Sequence, residues 1–214
     1  MKNVKGIWLP DHEQYLLDFA KDSNWTYQKN RLDLAIKYVD KFDLCIDIGA
    51  HCGLWSMHLT KLFNHVHAFE PVQEHIECFN KNINDTNYTL HPYALGDKNK
   101  TISMHTTSGT SVDSWVIEDG NDIICKPLDS FNLKPNFIKI DVERYEYYIL
   151  LGAEETIKKH KPTIIVEIIP FTLFTTKRKE YVVNHKKVFN LLKNWGYILR
   201  DQRRDDYIFT HQKH

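Results

Sequence analysis

The sequence has few of the features that mark fibrous, membrane-spanning or strongly charged proteins. Among its 214 residues only 8 are glycine and 7 are proline, which excludes collagen-like and low-complexity chains. Its 28 basic and 28 acidic side chains cancel, so it carries no bulk charge with which to hold a nucleic-acid duplex. No apolar run approaches the roughly 18 residues needed to span a bilayer. A chain of this length predicts one globular domain with a sizeable core.

Cysteine is also scarce, and its spacing excludes the common paired motifs. Because no C-x-x-C pair occurs, we predict free thiols in a reducing compartment. The first residues, Met1–Lys5, lead to Trp8 rather than to a long apolar segment. We therefore expect no cleaved signal peptide and a cytoplasmic location. The four cysteines are Cys45, Cys52, Cys78 and Cys125.

Histidine is frequent, with 12 copies, but its spacing does not favour a metal site. His51, His58 and His65 are seven residues apart, which on a helix is about 10.5 Å and too far for neighbours to share one ion. We expect His65 and His67 to point apart within one strand. The histidine pattern therefore predicts no metal site.

Short apolar runs alternate with helical stretches along the chain. This alternation predicts an α/β fold with a doubly wound, mostly parallel sheet. The polar link Asp201–Asp205 predicts an antiparallel hairpin near the end of the chain. Residues 1–40 precede the first core strand, and we predict that they form a helical cap on a domain of residues 41–214. Strands are predicted at 44–48, 66–69, 88–92, 101–105, 122–125, 137–141, 163–168, 197–200 and 207–210, and helices at 54–63, 72–83, after 141 through 157, and at 180–194.

The most informative segment is Asp47-Ile48-Gly49-Ala50-His51-Cys52-Gly53, a buried strand that runs into a glycine turn and then a helix. In open α/β sheets, ligands bind at the turn that follows the carboxyl end of a strand. Glu70 ends the second predicted strand, where an acid takes the hydroxyls of a ribose. Two cofactors fit this arrangement, a dinucleotide and S-adenosylmethionine.

The residues of the turn favour S-adenosylmethionine. A dinucleotide requires a second glycine two positions after Gly49, and His51 stands there. Asp47 would also place a carboxylate near a doubly negative pyrophosphate, whereas S-adenosylmethionine carries a sulfonium and an ammonium that a carboxylate stabilises. The alternative is that Asp47 only caps the turn and that Glu70 is a solvated strand end.

A family pattern recurs in five segments, which are Asp47–Gly53, Ala68–Pro71, Ala94–Asp97, Ile138–Glu143 and Leu151–Glu154. In this order they resemble the FkbM-type S-adenosylmethionine-dependent methyltransferases over about residues 40–170. The resemblance implies a seven-stranded, Rossmann-like class I methyltransferase sheet and O-methylation, commonly of sugars or other hydroxylated natural products. It places Asp47, Gly49, Ala50 and Gly53 around the methionine part of the donor, Glu70 on the ribose, and Ala94 and Leu95 beside the adenine, while His51 and Pro71 complete the predicted cofactor-binding set.

The segment after the fourth core strand contains the catalytic candidates and one departure from the family. The family reads Asp-Val-Glu-Gly-x-Glu, and this chain has Arg144 at the glycine position. Arg144 adds a fixed charge there, so we expect the acceptor pocket to depart from the family more than the donor pocket. An acceptor alcohol needs a base, and Asp141, Glu143 and Glu146 are the candidates because they follow a buried strand beside the donor turn.

Other roles remain open for these residues. The clustered carboxylates also suit a divalent cation, although we predict no metal. Glu146 also suits the first turn of a helix, where an acid stabilises the dipole, and Glu167 at the end of the fifth core strand is a weaker candidate for the base. The aromatic group Trp8, Trp25, Tyr27 and Trp55 suits either a sugar pocket or core packing.

Two further function classes remain beside O-methylation of a small-molecule or glycan acceptor. A nucleic-acid methyltransferase is disfavoured by the neutral charge and by the lack of an Asn-Pro-Pro-Tyr-like motif. A non-catalytic domain that binds S-adenosylmethionine is disfavoured by the acids at the strand ends. The sequence predicts no membrane partner and leaves the oligomeric state open.

Overall fold

The computed structural model describes residues 1–20, 25–106, 114–118, 120–169 and 184–212. Within this part of the chain, short strands and helices alternate, as the sequence predicts for an α/β fold. The strands are β1 (Lys2–Val4), β2 (Ile7–Leu9), β3 (Leu44–Ile48), β4 (His65–Phe69), β5 (Tyr88–His91), β6 (Ala94–Leu95), β7 (Lys100–Thr106), β8 (Ser114–Ile117), β9 (Ile123–Lys126), β10 (Phe137–Ile140), β11 (Thr163–Glu167), β12 (Tyr197–Arg203) and β13 (Asp206–His211).

The helices are short, and two of them differ from the sequence prediction. Only the centre of the predicted helix 54–63 is a regular α-helix. Along the whole segment, the backbone hydrogen bonds alternate between four-residue and three-residue spacing. The predicted helix through 157 is two helices, separated at Gly152. Residues 180–183 of the last predicted helix lie outside the described residues. The helices are α1 (Tyr15–Ala20), α2 (Lys29–Ile36), α3 (Ser56–Leu59), α4 (Gln73–Asn82), α5 (Glu146–Leu151), α6 (Glu154–His160) and α7 (Asn184–Asn194), with a 3-10 turn at Leu128–Phe131.

Gly152 interrupts the predicted helix because the chain packs closely there. A Cβ atom at this position would lie 1.9 Å from the carbonyl oxygen of Gly96. No side chain fits at that distance, so the contact requires glycine. The close approach brings the start of α6 against the segment that follows β6.

The central sheet has seven strands in the order β12-β13-β11-β10-β3-β4-β5. The five strands from β11 to β5 are parallel, and β13 lies antiparallel between β11 and β12. Ile46, Ile138 and Ile164 in the central strands are fully buried, because helices cover both faces of a parallel sheet. This confirms the doubly wound, mostly parallel sheet with an antiparallel hairpin at its C-terminal end.

A second, smaller sheet was not predicted as a unit. It has the order β6-β9-β7-β8, and its strands come from the polar region between residues 94 and 126. The sequence predicts only β7 and β9 there, because β6 has two residues and β8 shows no alternating pattern. Val116 of this sheet is buried, so the small sheet adds a wall to the core.

The N-terminal segment contains a hairpin as well as helices. Strands β1 and β2 pair in antiparallel fashion before α1 and α2 begin, so the predicted cap is only partly helical. Asn82 at the end of α4 holds the hairpin in place. Its side chain accepts from the Trp8 amide at 2.7 Å and donates to the carbonyl oxygens of Trp8 and Cys52 at 2.9 and 2.8 Å. The hairpin is therefore fixed to the glycine turn of the main domain.

Two sequence predictions on cysteine and on membrane segments can be compared with the structure. All four cysteines are buried free thiols, which confirms the predicted thiol state. In the described ranges no helix is long and apolar enough to cross a membrane.

Candidate active site

A cleft of ≈ 250 Å³ opens where β3, β4 and β10 end. Three parts of the fold form its walls. The strand ends and the loops after them form the floor, β6 and the rest of the small sheet form one side, and the N-terminal segment forms the other. The residues that line the cleft include Tyr27, Gln28, Arg31, Gly49, Ala50, His51, Trp55, Phe69, Glu70, Pro71, His75, Ala94, Leu95, Lys139, Asp141, Glu143 and Glu167.

The amide groups of the glycine turn are already used within the protein. The amides of Gly49 and Ala50 both donate to the carbonyl oxygen of Phe69, at 3.0 and 3.1 Å. The amide of His51 donates to Oε2 of Glu70 at 2.8 Å. A pyrophosphate is held by free amide groups at such a turn, and these three amides are not free. The turn is therefore built for a ligand other than a dinucleotide.

Glu70 is a buried carboxylate in the wall of the cleft, held on several sides. Its Oε1 accepts from the Val72 amide at 2.9 Å and lies 3.1 Å from Nδ1 of His75. Burial alone would raise the pKa of Glu70, but the His75 ring and the amides of Val72 and His51 outweigh it and hold the pKa below its usual value. Glu70 is thus an oriented anion, with acceptor capacity left for the hydroxyls of a ribose.

Replacing Glu70 with alanine is expected to weaken S-adenosylmethionine binding by about 10- to 100-fold, because hydrogen bonds to a charged group contribute about 1.5–3 kcal/mol. Calorimetric titration of the folded variant measures this. Glu74→Ala, at a half-exposed position in the first turn of α4 that does not line the cleft, is the matched control and should bind normally. An unchanged dissociation constant for the Glu70 variant would show that Glu70 only supports the turn.

Asp47 and Gly53 lie behind the cleft wall. Asp47 is fully buried, accepts from the Ser56 hydroxyl at 2.7 Å and pairs with the Lys139 ammonium at 3.2 Å. A Cβ atom at Gly53 would lie 2.9 Å from the Phe79 ring. Both residues therefore shape the turn, and a direct contact with the cofactor stays a prediction for them.

Lys139 links the glycine turn to the far end of the cleft, and the sequence offers no signal for this role. It is a buried lysine in β10 that donates to the carbonyl oxygen of Gly49 at 2.7 Å and lies 4.0 Å from Oδ2 of Asp141. Burial lowers its pKa, but Asp47 and Asp141 outweigh this and raise the pKa overall. Lys139 is therefore a fixed positive charge between two carboxylates.

A group of three carboxylates stands at the end of the cleft farthest from Glu70. Asp141, Glu143 and Glu167 each offer a carboxylate oxygen within 4.8 Å of the others. Two of them are catalytic candidates from the sequence, and Glu167 is the weaker candidate that the fold brings to them. Arg31 of α2 lies 3.6 Å from Glu167 and also forms an ion pair with Asp206.

The third catalytic candidate, Glu146, does not line the cleft. Its Oε1 accepts from the amide of Arg144 at 2.9 Å, and its side chain is buried. Burial raises the pKa of Glu146 to about 7. The side chain closes the turn before α5, as the alternative interpretation of an acid in a first helical turn suggests. A catalytic role for Glu146 stays a prediction.

The turn that Glu146 closes keeps a backbone shape suited to glycine. Arg144 has φ +81° and Glu143 has φ +52°, both in the left-handed region that side chains disfavour. The family pattern that this sequence resembles has glycine at position 144, so this chain retains the turn at a cost in strain. Such strain persists where the surrounding structure fixes the backbone, often beside a functional site.

Glycine at position 144 is expected to relieve this strain. Both Arg144→Gly and Arg144→Ala remove the side chain, so the difference between them isolates the backbone. We expect the glycine variant to be more stable than the alanine variant by about 1 kcal/mol in urea unfolding. Equal stabilities, or a more stable alanine variant, would contradict a strained backbone at this position.

The aromatic and histidine predictions have mixed outcomes. Tyr27 and Trp55 line the cleft, joined through Gln28, whereas Trp8 and Trp25 pack with the N-terminal segment. The expectation that His65 and His67 point apart was wrong. Their ring centroids are 4.9 Å apart, because residues two apart on a strand share a face.

S-adenosylmethionine fits the chemistry of this cleft. Carboxylates line the cleft at Glu70 and at Asp141, Glu143 and Glu167, and carboxylates stabilise a sulfonium and an ammonium. Ala94 and Leu95 offer a buried apolar wall for a flat base. The glycine turn offers no free amide at Gly49, Ala50 or His51 for a phosphate, which the donor lacks.

The similarity of this chain to known proteins agrees with that fit. Residues 47–199 match the family described as Methyltransferase FkbM domain. No curated protein matches the sequence. Among solved structures, the methyltransferase FkbM from Methylobacillus flagellatus KT is similar, with a TM-score of 0.53 and 17% identity, over 97% of this chain and 57% of that chain. This chain therefore spans little more than half the length of that protein.

Two other solved structures share the fold at low identity. A putative O-methyltransferase from Klebsiella pneumoniae has a TM-score of 0.54 and 11% identity, over 95% of this chain and 83% of that one. A SAM dependent methyltransferase from Aquifex aeolicus has a TM-score of 0.50 and 10% identity, over 92% of this chain and 98% of that one. The family match covers most of the sequence, and the chain belongs to the FkbM family of S-adenosylmethionine-dependent methyltransferases.

Proposed function

We propose that this protein transfers the methyl group of S-adenosylmethionine to a hydroxyl oxygen of a small acceptor, a sugar or glycan residue or another hydroxylated molecule. The observation that carries the proposal is the placement of Asp141 and Glu143 in the same cleft as Glu70. A binding module for the donor alone has no use for carboxylates beyond the donor. An alcohol acceptor needs a base at that point.

The order of the strands supports a division of the cleft into donor and acceptor ends. Glu70 follows β4 and Asp141 follows β10, with β3 and its glycine turn between them. Adjacent strands lie about 4.8 Å apart, so the two carboxylates follow strands about 10 Å apart. Glu70 and the glycine turn would hold the donor, and Asp141 and Glu143 would face the acceptor.

The residues of the chain then have separate tasks. S-adenosylmethionine supplies an already activated methyl group. Glu70 holds the ribose, and the turn at Gly49 sets the depth of the donor. Asp141 orients the acceptor hydroxyl and takes its proton as the oxygen bonds to the methyl carbon, the methyl–sulfur bond breaks and the sulfur becomes neutral. The N-terminal segment, which forms one side of the cleft, limits the access of water.

The acceptor end has the chemistry of a sugar site. Tyr27 and Trp55 offer flat apolar faces, which suit the faces of sugar rings. Gln28 connects them, accepting from the Trp55 indole at 2.6 Å and donating to the Tyr27 hydroxyl at 3.1 Å. Carboxylates beside such faces accept hydrogen bonds from hydroxyl groups.

Incubation with labelled donor tests the proposal against a panel of methyl-free glycans, small alcohols and oligonucleotides. We expect label on a hydroxyl oxygen of a glycan or an alcohol. Label on the oligonucleotides would favour the nucleic-acid alternative. Donor binding without transfer to any member of the panel would favour the non-catalytic one.

The cytoplasm is the location that we propose for this activity. The support comes from the buried free thiols of Cys45, Cys52, Cys78 and Cys125. Proteins in oxidising compartments use cysteine mainly in disulfides, whereas reducing compartments keep thiols free. Disulfide formation in protein isolated from its host would contradict this location.

A further inference from the structure

Glu167, the weaker candidate for the base from the sequence, lies beside the main candidate in the structure. It is the last residue of β11, which runs parallel to β10 with Val166 opposite Ile140. This register places Glu167 directly beside Asp141, which follows β10. Asp141, Glu167 and Glu143 each offer a carboxylate oxygen within 4.8 Å of the others.

A hydrogen bond between two carboxyl groups requires a proton. Ionised carboxylates only accept hydrogen bonds, so one of the two must carry an O–H group to donate. Two like charges at this separation also disfavour the state in which both are ionised. The closeness of Asp141 and Glu167 therefore favours a state in which the two carboxyl groups share one proton.

Nearby positive charge is too little to remove this need for a proton. Arg31 lies 3.6 Å from Glu167 but is closer to Asp206. Lys139 lies 4.0 Å from Asp141 but is closer to Asp47, at 3.2 Å. Each cation is thus engaged mainly by a carboxylate outside the pair. The charged and titratable groups around Glu167 are Asp141, Glu143, Asp206, Arg31, Lys139 and Tyr27.

We infer that Glu167 is the protonated member of a carboxyl pair and donates a hydrogen bond to Asp141, which makes it a positioning residue for the base of the proposed methyl transfer. Its kinetic consequence rests on the proposed function, whereas its protonation does not. The pKa of Glu167 lies well above its usual range, raised first by the charge of Asp141 and then by burial and by Glu143 and Asp206.

The hydrogen bond gives Asp141 a fixed orientation. One Asp141 oxygen is engaged by Glu167, and the carboxylate retains acceptor capacity for the acceptor hydroxyl. A neutral partner also avoids a second full negative charge beside the base. The role needs a hydrogen-bond donor at position 167 and does not need a charge there. This requirement distinguishes the carboxyl pair from a divalent-cation site, in which every carboxylate must be ionised.

Three variants test the role in methyl transfer. Glu167→Gln keeps a neutral hydrogen-bond donor of the same shape, so its turnover should stay within about 3-fold of the wild type. Its affinity for S-adenosylmethionine should be unchanged. Glu167→Ala removes the hydrogen-bond donor at this position, and its turnover should fall by about 10-fold or more. Full turnover in the glutamine variant is the result expected if position 167 needs a hydrogen-bond donor and no charge. Equal losses in the glutamine variant and in Asp141→Asn would overturn the inference.

Infrared spectroscopy tests the shared proton without any acceptor. At about pH 9, the wild type should show the carbonyl stretch of a protonated carboxyl group, because burial raises the pKa of Glu146 and Asp206 only to about 7. Glu167→Gln should remove this band, and the exposed Glu77→Gln should retain it. Absence of the band in the wild type would overturn the inference.

Calorimetry with Mg²⁺ provides a separate check on a cation site. We expect no binding of Mg²⁺ to the wild type. Binding that Glu167→Gln abolishes would replace the carboxyl pair with a cation site and overturn the inference. If no acceptor in the panel is methylated, the proposed function fails, and the infrared band still decides whether Glu167 holds a proton.

Discussion

Asp141→Asn is expected to reduce turnover at saturating donor by about 100-fold or more, while the affinity for S-adenosylmethionine stays within a few-fold. Asparagine keeps the shape and polarity of the side chain but cannot take a proton from an alcohol. Asp141 stands at the acceptor end of the cleft, two strands away from Glu70, so the donor site is left intact. Steady-state kinetics together with calorimetric titration of the donor measures both quantities.

Glu143 provides a comparison for this variant. It lies within 4.8 Å of Asp141, so Glu143→Gln should behave similarly if the two carboxylates act as one unit. The turnover of the double variant should then be little lower than that of the slower single variant. If Asp141→Asn instead weakens donor binding and keeps its turnover, Asp141 belongs to the cofactor site and the proposed base is wrong.

Gly49→Ala is expected to have the largest effect on stability, more than about 4 kcal/mol, with loss of donor binding. The backbone at Gly49 has φ +75°, and an added Cβ would lie 2.0 Å from the backbone oxygen of Asp141. Neither backbone can move without disturbing the ends of β3 and β10. Chemical unfolding and calorimetric titration of the donor measure the two effects.

Gly6→Ala is the matched control for that variant. Gly6 has φ +92°, and an added Cβ there would meet nothing within 4 Å. Its alanine variant therefore pays only the cost of the left-handed backbone, about 1–2 kcal/mol. Comparable losses of stability in the two variants would show that the close approach between Gly49 and Asp141 does not matter.

The prediction at Gly49 shows how the reason for a residue depends on the fold. By itself, the glycine turn indicates a place where a ligand approaches the backbone. In the structure Gly49 does line the cleft, but its missing side chain makes room for Asp141 instead of the ligand. The same residue thus joins the donor turn to the strand end that carries the proposed base.

The sequence by itself determined the core strands, the donor turn and the class of cofactor. Runs such as Leu44–Ile48 and Thr163–Glu167 are strands because consecutive apolar residues suit a sheet buried on both faces. Positions such as His51 in the turn distinguish S-adenosylmethionine from a dinucleotide, since that choice depends on a few consecutive residues. These features are local, and local features are readable from the chain.

Only the tertiary structure decided which side chains meet at the acceptor end. Arg31, Lys139 and Glu167 are far apart in sequence, and the order and register of β3, β10 and β11 bring them to one cleft. Asp47 is part of the glycine-turn motif but lies behind the cleft wall, because its carboxylate binds the Ser56 hydroxyl and the Lys139 ammonium. A carboxylate's role depends on which donors and charges surround it, and packing between distant segments sets those neighbours.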